Sequence, residues 1–147
     1  MAEIIVGVDG SQVSKLALEW AIAEAHLRSV SLRVVSVIKS PATWIGMGEA
    51  LSSGVGATLS DDALLAACGD TLDEVLGTVT LPPGLNLVKD LHIGSAAKVL
   101  VTLSKDADLL VIGAQGHGEV GGVLLGSVAM HCVHHSVCPV TVVPLAR

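Results

Sequence analysis

Short aliphatic runs alternate along this chain with longer stretches in which apolar residues recur every three or four positions. Ile4 to Val8 (IIVGV) is apolar throughout, as expected of a strand buried on both faces. Asp9-Gly10-Ser11 ends it, and a helix is predicted from about Gln12 to Arg28. Leu16, Trp20, Ala23 and Leu27 recur there at helical spacing, with Leu18, Ile22 and Ala25 widening the apolar face. Ser11 or Ser14 is the candidate cap. Ser31 to Ile38 (SLRVVSVI) is a second strand, so a right-handed parallel unit is expected. The pattern then lapses from Lys39 to Leu59, a Gly- and Ser-rich stretch that also carries Trp44, Ile45, Met47 and Leu51. This reads as a flexible loop over about 39–59: a lid over a site, a partner-facing patch, or a disordered segment.

Helical period returns at Ser60-Asp61-Asp62, where acidic residues suit a helix start, and lasts to about Thr80. Pro82-Pro83-Gly84 is a turn. Leu85 to His92 is a third strand, polar enough to belong at a sheet edge. Gly94-Ser95 caps a helix over about Ala96 to Asp106. Leu109 to Ile112 is a fourth buried strand, a helix follows over Val128 to His135, and Val140 to Val143 is a fifth strand. Alternation of this kind predicts a single α/β domain over 1–147, with a five-stranded parallel sheet of order 3-2-1-4-5 sandwiched by helices in a Rossmann-like arrangement. In that order the sequence of strands reverses between strands one and four. The loops leaving those two strands are where such sheets bind ligands.

The loop after strand four has a distinctive spacing: Gly113, two residues, Gly116, nine residues, then Gly126-Ser127 at a helix start. Glycines let a backbone turn sharply and approach a ligand closely. Unpaired amides at a helix start attract anions, and Ser127 adds a hydroxyl. The chemistry this suits is holding a phosphate. No Gly-Lys-Ser/Thr follows the glycines, so it is not a Walker A loop, and it lies too late in the chain for a Rossmann fingerprint.

Composition narrows the partners. A net charge of −6 gives no basic footprint for nucleic acid, and the absence of Phe and Tyr removes most base-stacking side chains. Mean hydropathy is high, at +0.71, yet no apolar run approaches the roughly 18 residues of a membrane span. MAEIIVGVDGS lacks the basic start and apolar core of a secretion signal, so a soluble cytoplasmic protein is expected. Cys68, Cys132 and Cys138 are then free thiols, with the core as their expected place. His131 and His135 are four apart on one helix face, but Cys132 points elsewhere and Cys138 lies past a turn. A metal site is therefore not assigned.

Together these segments resemble one family. IIVGVDGS, DLLVIG, GAQGHG, LLGSVA and HHSVCPVTVV are similar, in order and spacing, to the universal stress proteins, and the glycine spacing to their ATP-binding branch. The resemblance covers nearly the whole chain and implies a nucleotide-holding regulatory or stress-response module whose cofactor is ATP with Mg²⁺. It implies that Asp9 contacts the ribose or adenine side, with Gly7 close by, and that Val37 offers backbone groups to the adenine edge. Ile112 would pack near the base or sugar, and Gly113 and Gly116 would let the loop wrap ribose and phosphates. Gly126, Ser127 and Val128 would hold phosphate oxygens. It also implies a homodimer paired through the last strand, Val140 to Val143.

One departure stands out. Members often carry Arg after the second loop glycine, whereas here His117 and Glu119 fill that region, and no Lys or Arg lies between Lys105 and Arg147. Phosphate charge would then be met by amides, a metal, or a base such as Lys15 or Lys39. A protonated His117 would make binding tighten as pH falls. No catalytic triad is legible, so holding is expected rather than rapid turnover. The alternatives are a weak ATPase or phosphotransferase, and a nucleotide-independent dimeric scaffold for a protein partner.

Overall fold

The computed structural model describes residues 2–39, 60–116 and 125–145. Its strands are β1 (Glu3–Gly7), β2 (Ser31–Ile38), β3 (Leu87–Ile93), β4 (Leu109–Gly113) and β5 (Val140–Val143). Its helices are α1 (Gln12–Arg28), α2 (Asp61–Leu76), α3 (Ala96–Leu103) and α4 (Ser127–His135). All strand pairs are parallel, in the order β3-β2-β1-β4-β5. The order is the expected one, and it puts the polar β3 at an edge. The predicted stretch 39–59 and the residues His117 and Glu119 lie outside the described residues, apart from Lys39.

The aliphatic runs form strands because both sheet faces are covered. On β1, Ile4 and Val6 face one core and Ile5 the other. On β4, Leu109 and Val111 face the first core, and Leu110 and Ile112 the second. The first core receives Ala17, Leu18, Ala21, Ile22 and Ala25 of α1, and Leu72 of α2. The second receives Leu100 of α3, and Ala129 and Cys132 of α4. Every residue of β4 is buried, so a one-residue slip would exchange the contents of two finished cores.

Charges fix the ends of the strands. Arg33 on β2 bridges Glu3 on β1 (Nε–Oε1 3.0 Å) and Asp90 on β3 (Nη1–Oδ2 3.2 Å). The hydrogen bond to Glu3, before all else, raises the Arg33 pKa above its ordinary value. The Glu3 amide donates to Asp108 Oδ2 (2.7 Å), seating the start of β4 beside β1.

The structure corrects three details. The inward face of α1 is not Leu16, Trp20, Ala23 and Leu27: Trp20 is 38% exposed and Leu27 79%. Leu18, Ile22 and Ala25, expected to widen the apolar face, are buried, and Ala17 and Ala21 complete the contact, because small side chains let the helix lie close to the sheet. Helix α2 stops at Leu76 rather than near Thr80. Thr78 Oγ1 donates to the Val75 carbonyl there (2.7 Å), closing the last turn. Helix α3 ends at Leu103 and tightens into a 3-10 turn over Ser104–Asp106. The fully buried Ser104 hydroxyl donates to the Val101 carbonyl (2.6 Å) and accepts from the Val137 amide (3.1 Å), tying that turn to the end of α4.

Candidate functional site

The carboxyl ends of β1, β2 and β4 open into one cavity of about 850 Å³, closed from the side by the starts of α3 and α4. All nine positions singled out in the sequence line it. Gly7 and Asp9 come from β1 and its loop, Val37 from β2, and Ile112, Gly113 and Gly116 from β4 and its loop. Gly126, Ser127 and Val128 come from the start of α4. A second cleft, of about 510 Å³, lies at the opposite ends of the strands around His26, Pro83 and Asn86, and no Lys or Arg among the described residues lines it.

Local hydrogen bonding sets the Asp9 corner. The Ser11 amide donates to Asp9 Oδ1 (2.9 Å), and Gly10 takes a positive φ of 86° to make that turn. The Ser14 amide donates to Ser11 Oγ (3.2 Å), so Ser11 is the cap of α1. The Asp9 amide donates to Ser14 Oγ (3.3 Å), whose hydroxyl donates to the Ser11 carbonyl (2.9 Å). The carboxylate is thereby aimed at the β4 loop, where a Cβ on Gly116 would approach its Oδ2.

At Gly113 the backbone meets Val13 of α1. A Cβ there would stand 2.6 Å from Val13 Cγ1 and 3.2 Å from the Val13 carbonyl carbon. This glycine lets α1 reach the end of β4, and with it the Asp9 loop. At α4 the Gly126 amide already donates to the Ala114 carbonyl (2.6 Å), which pins the helix start to the end of β4. Helix α4 has no side-chain cap, and its first-turn amides at Ser127 and Val128 lack intrahelical acceptors. The cavity therefore meets a bare helix start, with the Ser127 hydroxyl beside it.

Sequence reading missed part of the lining. Gly94, Ser95, Ala96, Ala97 and Lys98 bring the start of α3 to the same cavity, with Ser95 Oγ accepting from the Lys98 amide (3.4 Å). The signal was present: Gly94-Ser95 after β3 repeats the strand, Gly-Ser, helix order of Gly126-Ser127. Of the two bases considered, Lys39 lines the cavity and Lys15 is not among its lining residues. His131 lines it too, its ring centroid 4.5 Å from that of His135. Among the described residues no three His, Cys, Asp or Glu side chains converge as a metal site. Cys132, fully buried behind this wall, has its pKa pushed up to about 11 by desolvation and is no nucleophile at neutral pH. Among the described residues no helix is long and apolar enough to cross a membrane.

Comparison with known proteins places this architecture. The model of the universal stress protein family matches residues 1–144. A universal stress protein of Mycobacterium tuberculosis is 36% identical over 95% of this chain and 46% of its own length. The chain thus spans about half the length of the curated relatives it matches. The solved structure of universal stress protein UspA from Lactobacillus plantarum shares 25% identity, with a TM-score of 0.71 and 97% of each chain covered. A crystal structure of a universal stress protein in complex with cAMP covers 97% of this chain and 96% of its own, at 23% identity and a TM-score of 0.60. A family match over nearly every residue leads to one conclusion: this chain belongs to the universal stress protein family.

Proposed function

We propose that the cavity holds an adenine nucleotide, ATP with Mg²⁺ in the cell, and that the protein is a nucleotide-responsive module paired as a homodimer through β5. One observation carries this reading: the bare start of α4, the Asp9 carboxylate and the glycines of β4 face a single cavity. A helix start favours phosphate, a carboxylate favours ribose hydroxyls, and a cavity of this size fits a nucleotide. The complex of a structural neighbour with cAMP supports the adenine class. A magnesium ion would arrive on the ATP phosphates, and the Ser127 hydroxyl at the start of α4 is a side-chain oxygen it could meet there.

Holding is favoured over turnover. Asp9 is the only carboxylate among the described lining residues, and its Oδ1 is engaged by the Ser11 amide. It is built to bind rather than to activate water.

The test starts from untreated purified protein. Heating it, removing the precipitate and separating the released nucleotides reads what it carried, with a Gly126→Asp, Ser127→Ala variant alongside. Near-stoichiometric ATP from the wild type and none from the variant supports the reading. If neither releases nucleotide and added Mg-ATP does not saturate the wild type, the reading is wrong.

A further inference from the structure

We propose that His131 is the cation of the phosphate end of this cavity, and that it makes retention of a phosphate-bearing ligand depend on pH. The inference rests on the nucleotide reading above and names what answers the phosphate charge. The stretch after Lys105 supplies no Lys or Arg before Arg147, so the wall formed by α4 has no permanent positive charge. His131 is on that wall. It follows Ser127 by four residues, one helical turn, and lines the same cavity. Helical side chains lean toward the helix start, so a half-buried residue one turn in covers the turn at Ser127 and Val128. An imidazole there sits behind the amides that would receive phosphate oxygens.

The ring stands among other imidazoles and few fixed charges. The His131 and His135 rings are 4.5 Å apart, and those of His134 and His135 6.3 Å apart. Of the elements packed against α4, β5 carries no titratable side chain and α3 brings Lys98 to the cavity. Across the cavity stand Asp9 and Lys39. A phosphate bound at the start of α4 would place its negative charge one helical turn from His131, where a protonated imidazole would answer it. His131 would thus supply a charge to the bound phosphate when it is protonated and none when it is neutral.

The experiment uses two ligands whose own charge is constant between about pH 5.5 and 8, the range in which imidazoles titrate. Cyclic AMP carries one fixed negative charge there, and adenosine none. Calorimetric titration of the wild type is expected to show cAMP binding about five-fold tighter at the acidic end, as for a charge-assisted contact in a partly buried site, with adenosine unchanged. His131→Asn and His131→Gln should each bind cAMP without pH dependence, at the wild type's alkaline affinity, and keep adenosine binding. His135→Asn should retain the pH dependence. A slope that survives in both His131 variants overturns the inference. So does loss of adenosine binding in them, which would make His131 a packing residue. A wild type that binds Mg-ATP but neither of these ligands overturns the inference alone, and one that binds none of the three rejects the nucleotide reading itself.

Discussion

A Cβ on Gly116 would stand 2.8 Å from Asp9 Oδ2, closer than real side chains approach. The two residues come from the ends of neighbouring strands, β1 and β4, and the missing methyl is what lets the carboxylate lie against the loop. The Asp9 side chain is short, and its other oxygen is engaged by the Ser11 amide, so it has little room to yield. Gly116→Ala should therefore swing Asp9 out of place and weaken nucleotide binding about ten-fold, as for loss of one well-placed polar contact. Unfolding midpoints should hardly move, because no core packing is touched. Calorimetric titration beside urea melts separates the two effects.

Gly113→Ala should act in the opposite way. The new methyl meets Val13 Cγ1 at 2.6 Å and Val13 backbone atoms at 3.2 and 3.3 Å, and backbone cannot rotate aside. Overpacking of this kind costs about 1–3 kcal/mol, and the upper part of that range is expected here. Adding Val13→Ala should recover only part of the loss, since the backbone contacts remain. Urea unfolding of the two variants checks this.

Cys132 gives the protein an alkaline weakness. Burial raises its pKa from 9.0 to about 11. The unfolded chain therefore releases this proton first, and stability is lost as pH rises through the unfolded value toward the folded one. The loss amounts to roughly 2–3 kcal/mol over that window, at 1.36 kcal/mol per pKa unit. Cys132→Val should flatten the decline between pH 9 and 11 relative to the wild type. Denaturant melts across that range read the difference.

If β5 pairs two copies, its outer edge must offer amides. Pro139 and Val143 turn their carbonyls toward β4, so by strand alternation Val140 and Val142 present their groups to the free edge. Val142→Pro removes an outward donor and spares the ladder to β4. Sedimentation should find the wild type at the dimer mass and this variant at the monomer mass. A variant that stays dimeric would rule out pairing through this edge.

The sheet was legible because β1 and β4 are short, aliphatic and buried on both faces, a pattern that few other folds produce. The glycines were legible because the absence of a side chain is visible at any position, whatever lies opposite. What stood opposite them was not: Val13 and Asp9 meet Gly113 and Gly116 only once α1 has crossed to the end of β4. The face of α1 was misread because hydropathy favours Trp20 and Leu27 over alanine, whereas close packing on a sheet favours alanine. His131 could not be reached from spacing, since it enters from a helix whose rotation is set by the core it packs on.

The pairing of β1 with β4 joins segments as far apart as Glu3 and Asp108, 105 residues along the chain, and the cavity lies at the end of those two strands. Nothing resembling the cavity exists before that closure, which is among the slower kinds of contact a chain can make. A ligand held there arrives after the rate-limiting ordering is over. It should leave the refolding rate alone and slow unfolding in proportion to its occupancy. Stopped-flow measurements with and without Mg-ATP would read this as a shift in the unfolding limb alone. In the cell, nucleotide level would then set the lifetime of molecules already folded, and their turnover would follow the adenylate pool.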